Sequence, residues 1–465
     1  MTSDSSPNAS TVCPYCGHVV SAAAKICGTC LRSIEGGMVD RGGVTAAREE
    51  AYRAGRRRRR IRLASIAAGI VAVTAAFVYV QWFMPATPLP APSTPARSLV
   101  PATEDASRWP TIAGNAQLQR TTSARPDLAA PERWRVTLDA RITTPPVVDA
   151  QRVYVGVTGA LVALSREDGR EAWRIPIAGQ LDAAPTIVGD RLYVTLREGT
   201  VLALNTADGR QLWKGGDGPT YFSSVVVDGG EVFGSSLGRL TGLDAETGEV
   251  LWRRETDNRV SAQAQPAVTR AYVLQLSYRR ALLFDRATGE ELFFYSMPSP
   301  EHIAIAGNRG IIVGSDRIVA FGFDQRRPWW EFWRTAWGEL WILGMASAPP
   351  PQPRHWAQST DRGTLAPTVA GDALVVTTTL GTVRALDLAS GEARWEAKVG
   401  PVAWAPVTTA GGVLLVQRDA LLLLDPATGA EVAKRPMRDA GLRSAAVTSG
   451  GTYVVSGDQV LIALR

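Results

Sequence analysis

At 465 residues the chain exceeds one ordinary domain of ~100–200 residues and calls for several units. A composition 45% hydrophobic and 20% charged excludes wholesale disorder and a polytopic membrane protein. The formal charge of +6 is local: residues 1–62 hold eleven Lys and Arg against five Asp and Glu, and residues 63–465 hold 39 of each, so the larger part is not a nucleic-acid-binding surface.

All four cysteines fall early, as Cys13-Pro-Tyr-Cys16-Gly17 and Cys27-Gly28-Thr-Cys30. Two such pairs present four thiolates from two tight turns, which suits tetrahedral Zn²⁺ at about 2.3 Å per sulfur. Gly17 and Gly28 are expected to supply the backbone freedom in those turns. Two disulfides are the alternative; c-type haem is excluded, because neither pair is followed directly by His. Residues 1–40 resemble the zinc-ribbon family, with Cys13, Cys16, Cys27 and Cys30 as ligands to a structural Zn²⁺ that supplies folding energy to a segment too short for a core.

Residues 41–62 form a basic segment ending in Arg56–Arg60 and Arg62, and Leu63 to Val80 then carries no charge. Residues 63–84 would make a helix of about 33 Å, matching hydrocarbon of about 30 Å, with Tyr79 and Trp82 at the interface and Pro85 as a stop. The expectation is a single-pass cell-membrane protein, its N-terminus cytoplasmic and everything beyond residue 84 extracytoplasmic by the positive-inside rule. The proline-punctuated stretch 85–107 reads as a semi-rigid spacer.

From about residue 132 the chain repeats near every forty residues: Trp134, Trp173, Trp213 and Trp252 are spaced 39, 40 and 39 apart. Each unit holds four short runs rich in Val, Leu and Tyr, parted by Gly-containing turns. The pairs Asp168-Gly169, Asp208-Gly209, Thr247-Gly248, Thr288-Gly289, Ser390-Gly391 and Thr428-Gly429 mark the last hairpin of six units, where glycine takes a positive φ. First strands start near 146, 185, 224, 266, 303, 367, 406 and 446, so the expected fold is mainly β: an eight-bladed propeller of four-stranded blades over residues 108–465. The last unit has three strands, and Glu132–Leu138 upstream is the spare that would complete it and remove the raw edge.

The Asp-x-x-Thr-Gly-x-x-x-Trp theme, with the lead-in Arg108-Trp109-Pro110 and Gly114-Asn115-Ala116-Gln117, resembles the PQQ-like (quinoprotein-like, BamB-like) propeller repeats. That resemblance implies architectural Trp and Gly positions, and the residues agree: a Trp closing each unit reads as a wedge between blades. For the enzymes of the family it implies pyrroloquinoline quinone and Ca²⁺, a vicinal Cys-Cys disulfide, a Glu/Asn/Asp calcium set, a catalytic Asp and a Trp floor. No cysteine follows Cys30, and beyond His18 the only imidazoles are His302 and His355, expected at the surface. No catalytic residue is assigned, and fold membership does not confer chemistry.

The fifth unit is interrupted at about 326–356 by a Trp-rich insertion. Trp330, Trp333, Trp337 and Trp341 are spaced 3, 4 and 4, one face of a helix that Pro328 would start. Two readings stand: Trp329–Trp333 as the blade's outer strand with the rest capping the propeller, or an exposed amphipathic segment that docks a partner or dips into a bilayer interface. The expected function is a membrane-anchored, non-enzymatic scaffold or recognition module for an envelope protein partner, with no nucleic acid on the propeller. The alternatives are a PQQ-dependent dehydrogenase and a transmembrane sensor coupling propeller occupancy to the zinc ribbon.

Overall fold

The computed structural model describes residues 10–34, 41–82, 87–88, 93 and 105–465, apart from 179–180, 182, 197–198, 217–222, 237, 257–264, 278, 324–325, 328–333, 348–351, 353 and 439–440. The chain divides into two compact units, Met1–Pro85 and Ala86–Arg465.

In the first unit a hairpin, Ser10–Val12 with Val19–Ser21, carries the first cysteine pair, and helix α1 spans Arg41–Trp82. The basic segment and the uncharged run are thus one continuous helix. No helix among the described residues is long and apolar enough to cross a membrane, which corrects the expected span over 63–84 and, with it, the single-pass topology that placed the N-terminus and the propeller on opposite sides. Nine of the fourteen residues from Leu63 to Ala76 are Ala, Gly, Ser or Thr, which contribute little apolar surface, and Arg56–Arg60 wrap every side of the preceding turns.

The second unit is the eight-bladed propeller, each described blade an antiparallel sheet of four strands, A (innermost) to D. Blades 1 to 4 begin with strands A at Val147–Val148, Thr186–Val188, Val226–Asp228 and Ala267–Val268. Blades 5 to 8 begin at Pro300–Ala306, Thr368–Ala370, Val402–Thr409 and Leu442–Thr448. Strands B and C are almost wholly buried, whereas strands D alternate toward solvent, as in Glu431–Pro436. The ring closes as expected: Glu132–Thr137 is strand D of blade 8, paired with Val460–Leu464.

Neighbouring blades are joined by a repeated device. The strand-D Trp of one blade lays its ring against the turn glycine of the next and donates its Nε1–H to a carbonyl beside that turn. Trp134 donates to Arg166 at 3.1 Å, Trp173 to Thr206 at 3.0 Å, Trp213 to Ala245 at 3.0 Å and Trp252 to Arg286 at 2.8 Å. The facing glycines, Gly169, Gly209, Gly248 and Gly289, have φ of 70–77°, and a Cβ there would strike the Trp ring at 3.0 Å or less. The turn is preset by its acid: Asp244 Oδ1 accepts from the Glu246 and Thr247 amides, both at 2.8 Å.

Blade 5 departs from expectation. Its strand D is Trp356–Ser359, beyond the insertion, and Trp356 is the wedge that meets Gly391 and donates to the Leu388 carbonyl at 3.0 Å. Trp329–Trp333, the expected outer strand, lies outside the described residues. Thr87–Pro88 of the expected spacer pairs with Arg326–Arg327, and the Ser93 amide donates to Asp285 Oδ2, so this part of the linker lies against blades 4 and 5.

Candidate functional site

The four thiols converge from two turns of the same design. In the first, the Cys13 amide donates to the His18 carbonyl (2.8 Å) and the Gly17 amide to the Cys13 carbonyl (2.9 Å). In the second, the Cys27 amide donates to Arg32 (3.0 Å) and the Leu31 amide to Cys27 (2.8 Å). Gly17 takes φ 73°; in the second turn the left-handed position falls to Leu31 (φ 60°), and Gly28 is not strained. All four Sγ atoms lie within 4.8 Å of one another, with Cys13–Cys30 at 3.6 Å and Cys16–Cys27 at 3.5 Å. These separations exceed a disulfide of about 2.05 Å and match the edge of a tetrahedron with ~2.3 Å metal–sulfur bonds. The amides of Cys30 and Thr29 hold the Cys27 thiol down to about 6, so a thiolate is available near neutrality. Four cysteine sulfurs at these separations can hold one metal ion.

On the propeller, residues 106–120 form a strap that circles the face where the A–B and C–D turns emerge. Its backbone visits the blades in ring order. The Ser449 amide of blade 8 donates to Ala106 (2.6 Å), and Trp109 and Val148 of blade 1 exchange two bonds (2.8 and 2.9 Å). Blade 2 donates from Ile187 to Pro110 (2.8 Å), blade 4 from Val268 to Ala116 (2.8 Å) and blade 5 from Ile305 to Gln117 (2.9 Å). Blades 6 and 7 follow, Val369 to Gln119 (3.0 Å) and Thr408 to Arg120 (2.9 Å). Among the described residues blade 3 alone makes no backbone bond to the strap. There a cavity of about 560 Å³ opens, lined by Trp109, Gly114, Val188, Val227, Asp228 and Arg270, among others.

The blade 3 wall of this cavity is tied to blade 4 by buried ion pairs. Arg286, fully buried, pairs with Asp228 Oδ2 (2.6 Å) and Glu231 Oε2 (2.5 Å) and donates to the Asp228 and Thr269 carbonyls. Arg166 fastens blade 1 to blade 8 in the same manner, through Tyr453 Oη (2.8 Å) and Thr448 Oγ1 (2.7 Å). Sequence reasoning passed over both arginines. The available signal was their shared place, one residue after strand C, where other repeats carry Thr206, Ala245, Leu388 or Pro426.

The insertion carries helix α2, Arg334–Ile342; Pro328, its expected start, lies outside the described residues. Trp330 and Trp333 lie outside the described residues; Trp337 and Trp341 sit one helical turn apart. Trp337 is half-buried and donates Nε1–H to the Ser347 carbonyl (2.9 Å), and Gly344 (φ 70°) caps the helix. Leu340, Trp341 and Ile342 at its C-terminal end and Leu343 and Met345 after it are exposed, Leu343 by 68% and Met345 by 72%. Gln352 anchors the returning chain on strand D of blade 4 through the Ser296 amide and the Phe294 carbonyl. His302 is not at the surface as expected: burial, then the Arg120 charge, lowers it to about 4, against the opposing Thr364 backbone. His355 is exposed.

The family described as outer membrane protein assembly factor BamB matches residues 129–327, 236–400 and 379–465, together well over half of the chain. The chain belongs to this family. The BamB of Xanthomonas campestris pv. campestris is 34% identical over 132 residues, 25% of this chain and 31% of that protein. The chain spans between about a third and two thirds of the length of the curated BamB relatives it matches. Two solved structures share the fold: BamB from Moraxella catarrhalis (TM-score 0.57, 16% identity, 72% of this chain and 100% of that one) and the quinohemoprotein alcohol dehydrogenase of Comamonas testosteroni (TM-score 0.55, 15% identity, 77% and 80%).

Proposed function

We propose that the chain is a non-enzymatic recognition scaffold whose propeller docks a protein partner through the exposed C-terminal end of α2 and the turn that follows, with the N-terminal cysteines holding a structural Zn²⁺. The BamB-family propeller supports a protein-interaction scaffold, and relatives named for outer membrane protein assembly support a protein as the partner. The observation that carries the site is the run Leu340–Met345: five large apolar side chains in six residues, uncharged and exposed on an insertion that the repeat does not require. A bilayer-surface helix would line its polar face with Lys and Arg. Here Glu339 is the one charge from Thr335 to Pro353, so an apolar groove on a protein fits better than lipid.

A photoreactive residue at Leu343 tests this, with the same group at exposed Val432 of blade 7 as the control. The expectation is one discrete protein adduct from position 343, diminished at least fivefold by Trp341→Ser and absent from position 432. Equal adducts from both positions would refute the docking site.

A further inference from the structure

The strap brings one side chain inward that neither docking nor architecture uses. Leu118 (φ 59°) and Arg120 (φ 55°) are both left-handed, a conformation costing about 1 kcal/mol or more at a residue with a Cβ. Arg120 is held there by its amide on the Ala113 carbonyl (2.9 Å) and by its own carbonyl, which accepts from the Thr408 amide (2.9 Å) and Thr368 Oγ1 (2.8 Å). Its side chain is thereby sent among the inner strands, where 7% of the residue remains exposed.

The surroundings are unusual for a cation. Nη1 donates to the Ile112 carbonyl (3.1 Å), and the guanidinium carbon lies 5.6 Å from the Trp404 ring centroid, on strand A of blade 7. No carboxylate among the described residues pairs with it, although Arg286 and Arg394 each have two. Burial alone holds Arg120 down to about 10. His302, on strand A of blade 5, is close enough to feel its charge and is itself uncharged near neutrality. Among the described residues nothing bonds the Nε–Nη2 edge, the side of a guanidinium that grips a planar two-oxygen anion.

We propose that Arg120 is the anchor of a carboxylate-binding site inside the ring, walled by Trp404 and His302. A singly charged, planar anion matches one guanidinium; a phosphate dianion would leave charge uncompensated in a buried place. The carboxylate comes either from a small organic acid or from the C-terminus of a peptide entering the ring. The site is independent of the α2 surface, so either reading can fail alone.

The test uses the full chain, its metal retained, and follows thermal unfolding and Trp fluorescence at constant ionic strength. The probes are acetate, lactate, phosphate, chloride, and a tetrapeptide with a free or an amidated C-terminus. A saturable rise in Tm is expected with the carboxylates and absent with chloride, phosphate and the amidated peptide; whichever of lactate and free peptide binds tighter names the source. Arg120→Lys keeps the charge but loses the fork and should weaken binding at least tenfold, and Trp404→Leu, which leaves the strap intact, at least threefold. No saturable response to any carboxylate in the unaltered chain overturns the proposal, as does binding unchanged in both variants. Should Arg120→Lys fail to fold, Trp404→Leu and the peptide pair decide it.

Discussion

Gly289→Ala offers the sharpest measure of the wedge that joins the blades. Gly289 has φ 70°, and a Cβ there would lie 2.5 Å from Cε3 and 2.6 Å from Cδ2 of Trp252, whose indole is already fixed by its bond to the Arg286 carbonyl. The left-handed backbone costs an alanine about 1 kcal/mol, partly offset by lower entropy of the unfolded chain. The collision adds ~1–3 kcal/mol, because a buried ring on a strand cannot retreat. Gly307→Ala is the matched control, with φ 58° and nothing within 4 Å of the added carbon. In equilibrium urea denaturation of the full chain, Gly289→Ala should lose ~2 kcal/mol more than Gly307→Ala. Adding Trp252→Leu should recover about 1 kcal/mol of that, a coupling that only residues in contact produce. Equal losses from the two glycines, or strict additivity with Trp252→Leu, would mean the wedge does not carry the junction.

Metal analysis of the purified chain is expected to find one Zn²⁺ per molecule, removed by a strong chelator and lost in Cys27→Ser, while urea unfolding of the propeller is unchanged; metal retained by Cys27→Ser would contradict the four-thiolate centre. Arg286→Met leaves Asp228 and Glu231 buried without their cation, so a loss of about 3 kcal/mol should follow, and a loss under about 1 would show the pair to be dispensable. His302 binds its proton less readily folded (about 4) than unfolded (6.5), so its contribution is complete above pH 6.5 and is lost as pH falls toward 4. The full chain should therefore lose up to about 3 kcal/mol across that window relative to His302→Gln, and parallel pH profiles for the two proteins would remove the effect.

What could be read in advance followed from how local each cause is. The cysteine turns and the Asp-x-x-Thr-Gly hairpins were legible because spacing and a positive φ are properties of a few adjacent residues. The run at 63–80 misleads for the opposite reason: absence of charge is not apolarity, and Ala64, Ala67, Ala68, Gly69 and Thr74 bury little surface. Trp356 was assigned to the insertion because more than thirty residues separate strands C and D of blade 5, which broke the count though not the wedge. The lead-in Arg108-Trp109-Pro110 and Gly114–Gln117 marked the strap, but its course round the ring was not legible, since it is held through backbone groups that every sequence possesses.

Two junctions lack the wedge, and each is secured by other means. Between blades 4 and 5, Phe293 stands at the Trp position and strand C of blade 5 has no turn glycine to receive it. The space is filled by rings instead: Tyr295 stacks on Phe321 at 5.6 Å, with Phe293 and Phe323 each within 5.9 Å of the same ring. Between blades 7 and 8 strand D carries no aromatic residue. Arg435 reaches from it to the carbonyls of Leu128 and Ala130, which lead directly into Glu132–Thr137, strand D of blade 8. The same lead-in is bonded to blade 7 by the Ala410 amide on Ala124 (2.9 Å) and to blade 8 by the Ser449 amide on Ala106. This second junction without a wedge is therefore the one that the N-terminal strap spans with its two ends. A chain that lacks residues 1–131 would therefore lose the clasp between blades 7 and 8 together with the strap over its inner strands.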